Sequence, residues 1–181
     1  MTKAAKSFEL AIKDAEDLLA RFDNEKTSEI VRNPESLKRA GMVMALAAWE
    51  TYVKDRFQEE IEVWLLAVNG SPLGNFVQRR IDEDLKRFFN PNSARTKLLF
   101  KSYFEVDITS AWKWDNYHPP QARKTLDELI SKRGDAAHQA NTCPGQPHLI
   151  KRDELEKAIR FIKGLVRATD NFRIANQILK N

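Results

Sequence analysis

The chain has 181 residues, 42% hydrophobic and 31% charged, with a net charge of +4. That suits a single domain over residues 1–181 with a real core, and excludes a disordered tail. No apolar run approaches the roughly 18 residues needed to cross a bilayer, Met1 to Asp14 holds no apolar signal core, and one cysteine, Cys143, excludes an internal disulfide framework and a Cys-based zinc site.

The default expectations are a cytoplasmic location, no membrane association, no metal and no cofactor. Charge is unevenly spread. Residues 1–78 are net acidic, while 79–102 and 150–181 each carry a net charge of +4. Two basic segments suit an anionic partner such as RNA, and equally two solvated helix faces.

A first helix is predicted over 3–22, with Phe8, Ala11, Ala15, Leu18, Leu19 and Phe22 on one face. Residues 24–33 read as a polar loop, with one turn around Ile30-Val31. Asn33-Pro34 then opens the longest helix, which runs to about Val68 before Asn69-Gly70. Its first half is rich in small residues (Ala40, Gly41, Ala45, Ala47, Ala48), which let another helix come close. Trp49, Val53, Phe57, Ile61 and Trp64 form a bulky stripe after them. Glu50 stands beside Trp49, either paired with Lys54 one turn on or turned inward.

Ser71-Pro72-Leu73-Gly74 reads as a turn, followed by a helix over 75–89 with Phe76, Val77, Ile81, Leu85 and Phe88 inward. Its other side carries Arg79, Arg80, Lys86 and Arg87. Asn90-Pro91-Asn92 breaks it, and Ser93 caps a further helix to about Phe104, with Leu98, Leu99 and Phe100 apolar. Residues 105–120 are irregular and aromatic. Trp112, Trp114 and Tyr117 either plug the core or, beside Lys113, stack on unpaired bases. His118 and His148 sit next to prolines with no metal-ligand pattern around them.

A helix starting near Pro120 carries Leu126, Leu129, Ile130, Arg133 and Ala137 at 3- and 4-residue steps. It ends in Arg133-Gly134-Asp135-Ala136-Ala137-His138, an R-x4-H pattern. Residues 140–149 are a loop with two prolines, and a last helix over 153–179 buries Leu155, Ile159, Ile162, Leu165, Val166, Phe172 and Ile178. Arg160, Lys163 and Arg167 form a basic stripe on it. Nothing reads as a strand, so the fold class is all-α.

An arginine and a histidine are a minimal toolkit for metal-free RNA cleavage. Histidine titrates near neutrality and can take the 2′-hydroxyl proton. Arginine keeps its charge and grips two phosphate oxygens with its planar fork. Five residues of α-helix turn through about 140°, so the pair does not share a face of a regular helix. Either the helix distorts at Gly134, or a second copy of the chain completes the site. The bland alternatives are a structural ion pair between Arg133 and Glu50, and a helix-terminal cation at His138. A nucleophilic pair of Cys143 with His138 or His148 is a remoter option.

The R-x4-H run over 126–138, the Ala-Ala-Trp-Glu-Thr-Tyr stretch at 47–52 and the basic helix from Lys151 resemble the HEPN family, most closely its RiboL-PSP-HEPN and MAE-type subgroups. The likeness is strongest over 35–180. It implies an up-and-down bundle of five or six helices, a homodimer and metal-independent endoribonuclease activity, in settings such as toxin–antitoxin or antiphage defence. Carried over by residue, Arg133 is the phosphate ligand, His138 the general base or acid, Asp135 a support that orients the histidine or caps the helix, and Glu50 a residue that fixes Arg133. Lys132, Arg160, Lys163 and Arg167 are candidates for RNA binding. Many family motifs place a polar residue directly after the arginine; here it comes one place later, at Asp135. The alternatives are a non-catalytic module that binds an antitoxin or a nucleotidyltransferase, and an RNA-binding protein without cleavage.

Overall fold

The computed structural model describes residues 1–25, 35–138 and 150–174, and for Ala137 and His138 the backbone alone. Within them lie six α-helices: α1 (Lys3–Glu25), α2 (Glu35–Leu65), α3 (Pro72–Lys86), α4 (Ser93–Phe104), α5 (Pro119–His138) and α6 (Arg152–Asp170). Short 3-10 turns occupy Leu66–Val68 and Ile108–Ala111. Among the described residues the only β pairing is an isolated bridge between Trp114 and Tyr117. The fold is all-α, as the hydrophobic periods predict.

The bundle is built around α2, which packs against α1, α5 and α6. Its Met42, Ala45, Leu46, Trp49, Tyr52, Val53 and Phe57 are buried. A helix covered on several sides shows no single apolar stripe, which is why small and bulky positions alternate around it. At Gly41 an added Cβ would stand 2.8 Å from Leu155 Cδ2. The small-residue half of α2 therefore admits α6, as its composition suggests. Trp64, the last member of the predicted stripe, is 46% exposed.

The aromatic stretch before α5 folds inward. Trp112 is fully buried, packs edge-on against Trp49 with centroids 5.9 Å apart, and donates its indole N–H to Thr169 Oγ1 at 3.0 Å. Trp49 donates to the Pro91 carbonyl at 2.9 Å. Both large apolar rings thus enter the core with their one polar atom satisfied.

Several boundaries differ from the periodic reading: α1 runs on to Glu25 past Asp23-Asn24, α2 gives way to a 3-10 turn after Leu65, and three further ends shift. The predicted turn at 71–74 is the first turn of α3. Ser71 Oγ accepts from the Gly74 N–H at 3.0 Å, and Pro72 takes the position where a missing N–H costs nothing. Helix α3 then ends at Lys86 rather than 89, and Phe76, expected inward, is exposed, whereas Ile81 and Phe88 are buried. Leu98 on α4 also faces out. Lastly, α6 stops at Asp170 instead of running to 179. The apolar period continues through Phe172, but the Phe172 carbonyl accepts from buried Arg56 at 3.3 Å, and Ile174 is buried beyond the helix. Residues 26–34, with the predicted helix start at Asn33-Pro34 and the Ile30-Val31 turn, lie outside the described residues. So do residues 139–149, with Cys143 and His148, and residues from 175 on, with Ile178.

Candidate functional site

Helix α5 presents the R-x4-H motif. Ala122, Leu126 and Ala136 are buried and mark its inner face. Arg133 lies one and two turns from Leu129, Ile130 and Leu126, and is half-buried at the edge of that face. Its Nε is buried and, among the described residues, has no hydrogen-bond partner. Glu50, expected to fix Arg133, has other partners. Its two carboxylate oxygens accept from Lys54 Nζ at 2.8 Å and from the Asn90 N–H at 2.9 Å. It thereby ties α2 to the turn before α4.

The helix does not distort at the motif. It continues as α-helix through Gly134 to His138. A Cβ at Gly134 would meet nothing within 4 Å, so neither packing nor backbone shape requires glycine there. Regular geometry sets Arg133 and His138 about 7.5 Å apart along the axis and about 140° apart around it. Asp135 is exposed and lies within the described part of α5. The His138 side chain lies outside the described residues.

Two helix ends meet beside Arg133. Lys132 Nζ reaches Glu154 Oε1 at 2.8 Å, and Glu154 Oε2 accepts the Lys151 N–H at 3.0 Å. The Lys132 bond, then the Lys151 one, hold the Glu154 carboxyl below its usual range. Next to it Arg152 bridges Asp23 on α1, at 2.9 Å, and Glu156 on its own helix. Lys132, a candidate for RNA binding, is thus already committed to a carboxylate. Glu154 carried no signal of this in the sequence, because its partner is 22 residues away; only its place three residues after Lys151 marked it as a helix-start residue.

The other RNA-binding candidates lie together elsewhere. Arg160, Lys163 and Arg167 line a cleft of about 980 Å³ on the outer side of α6, facing Glu16 and Leu19 of α1 and the Trp114–Tyr117 hairpin. Lys163 is paired with Glu16 at 2.7 Å and Arg160 with Glu156 at 3.1 Å. Arg133 does not line this cleft. Among the described residues no group of His, Cys, Asp and Glu is arranged to hold a metal, and no helix is long and apolar enough to cross a membrane.

A family model described as RiboL-PSP-HEPN matches residues 10–172. The chain belongs to that family. No curated protein and no solved structure is significantly similar to it. The matched region of this HEPN chain includes α2, the whole of α5 with Arg133 and His138, and α6.

Proposed function

We propose that this HEPN chain is a metal-independent endoribonuclease that works as a homodimer. The observation that carries the reading is Arg133. A guanidinium half-buried in a helical bundle normally meets a carboxylate, yet among the described residues its Nε has no acceptor, and Glu50 is occupied by Lys54 and Asn90. A phosphate from outside the chain is the ligand its fork fits best.

In the proposed reaction His138 takes the proton of the RNA 2′-hydroxyl, and that oxygen attacks the adjacent phosphorus. Arg133 stabilises the charge that builds on the phosphate oxygens. The bond to the 5′-oxygen breaks, that oxygen is protonated, and a 2′,3′-cyclic phosphate remains. Because α5 stays regular through the motif, positions 133 and 138 of one chain fall on different helix faces. The reading therefore gives each site the arginine of one copy and the histidine of its partner. A toxin–antitoxin or antiphage setting is part of the same proposal.

The test is incubation of mixed RNA with the wild type, Arg133→Ala and His138→Ala in EDTA, with size-exclusion and light scattering for the dimer. Cleavage in EDTA that both substitutions abolish supports the reading. Equal cleavage by all three chains, or none by the wild type, removes it. A second reading, a non-catalytic interaction module, draws on the exposed apolar residues Val63, Trp64, Leu66, Leu73 and Phe76 around the end of α2 and the start of α3. It predicts no cleavage by any of the three.

A further inference from the structure

The cleft on the outer side of α6 has an aromatic wall and a basic rim, and the fold builds both. Trp114 and Tyr117 stack at 4.8 Å with their planes 23° apart, and both rings rest on Phe161. The hairpin that carries them is closed by two backbone bonds, Trp114 N–H to Tyr117 O at 3.2 Å and the reverse at 2.7 Å. Asp115 at its tip takes a left-handed φ of 41°. Trp114 lies on bare α6 backbone at Gly164, where an added Cβ would run into the indole. The rings stay half-buried at the cleft instead of sinking into the core as Trp112 does.

The lining of the cleft carries four acidic and four basic side chains, and three of the acidic ones are already paired. Glu16 is neutralised by Lys163, and Asp23 and Glu156 share Arg152, with Arg160 also on Glu156. Lys157 and Arg167 are exposed and, among the described residues, pair with no carboxylate. Against them stands the lone carboxylate of Asp115. A stacked aromatic platform beside uncommitted cations is the arrangement that holds unpaired nucleic acid: ring on base, cation on phosphate. Two uncommitted cations suit one or two nucleotides rather than a duplex, whose binding needs many phosphate contacts.

We propose that this cleft is a second RNA site, apart from the R-x4-H motif, that takes an unpaired base on the Trp114–Tyr117 platform and the flanking phosphates on Lys157 and Arg167. The proposal rests on the reading of the chain as a protein that acts on RNA, but binding here does not need cleavage. The cleft fixes which part of a long RNA is held while another part reaches the motif.

The test uses the full chain with His138→Ala, so that the probe stays intact, and a short fluorescent oligoadenylate in EDTA. Anisotropy is read across a range of salt. Lys157→Glu with Arg167→Glu changes only exposed side chains and should weaken binding by about ten-fold or more, with a salt slope shallower by about 0.7 for each lost phosphate contact. Binding should quench tryptophan emission, and Trp114→Phe, which keeps a ring over Gly164, should remove most of that quench. Unchanged affinity in the double charge reversal, or no binding of the probe at all, overturns the proposal. Wild-type cleavage with unchanged binding in the reversal removes the cleft and leaves the nuclease reading intact. Cleft-dependent binding by a wild-type chain that cuts nothing removes the nuclease reading and leaves the cleft.

Discussion

Lys132 on α5 and Glu154 on α6 meet at 2.8 Å, immediately beside Arg133. They join the end of one helix to the start of another across the residues between 139 and 149. Among the described residues the ion pair falls on the neighbour of the motif arginine, and Arg133 itself meets no carboxylate. At side-chain exposures of 45% and 36% the pair contributes at most about 1 kcal/mol.

That pair gives a signed pH effect. Glu154 titrates below its ordinary value of 4.5, mainly through Lys132. A depressed carboxylate stabilises the fold fully above the ordinary value and loses that contribution as pH falls through the lowered one. Glu154→Gln should lower the melting temperature slightly at neutral pH and flatten the fall in stability below pH 4.5. Denaturant titrations at several acidic pH values check this. An unchanged slope would show that Glu154 makes no such contribution.

Replacement of either motif residue should act on catalysis and not on folding. Arg133→Ala and His138→Ala should each lower RNA cleavage by about 10²- to 10⁴-fold. Arg133→Lys should recover little, because an ammonium lacks the planar fork. Circular dichroism should show unchanged helix content in all three. Mixing the two inactive variants should restore part of the activity, since one heterodimer site then has both groups intact.

Gly164→Ala should expel Trp114 from its seat. Alanine favours the helix by about 1 kcal/mol, but the overpacking against the indole costs about 1–3 kcal/mol. The net effect should be a loss of stability together with a red shift in tryptophan emission. A gain in stability without a spectral change would mean that the indole does not lie on α6.

Gly134→Ala should do the opposite. Open space surrounds the position and the helix is regular through it, so the variant should gain about 0.5–1 kcal/mol. A thermal melt decides the matter. A loss would show that α5 is not continuous there.

Much of this architecture is readable from local chemistry. Leu126 on the inner face of α5, the small-residue half of α2 and the inward tryptophan at 112 follow from spacing or residue type, whereas buried Ala122 and Ala136 lie off the predicted stripe. What spacing does not carry is competition from distant partners. Glu50 and Arg133 both look available for each other in sequence, yet Lys54 is closer to Glu50 along its own helix and the Asn90 amide completes the site. The end of α6 is hidden for the same reason, because Arg56, 116 residues upstream, holds the Phe172 carbonyl. The cleft combines two features that are separately visible, a basic stripe on α6 and an aromatic loop. Their meeting depends on Gly164, whose role shows only once the tryptophan is seen on top of it.

Helix α3 rests on the remainder through few side chains, chiefly buried Ile81 and the Tyr103 hydroxyl donated to Asp84 at 2.7 Å. Most of its length faces water. Its backbone amides should therefore trade hydrogen for deuterium well before those of α2, because it can open without breaking up the aromatic centre. Labelling would then separate an early-exchanging arm from a slow interior formed by α2 and the helices packed on it.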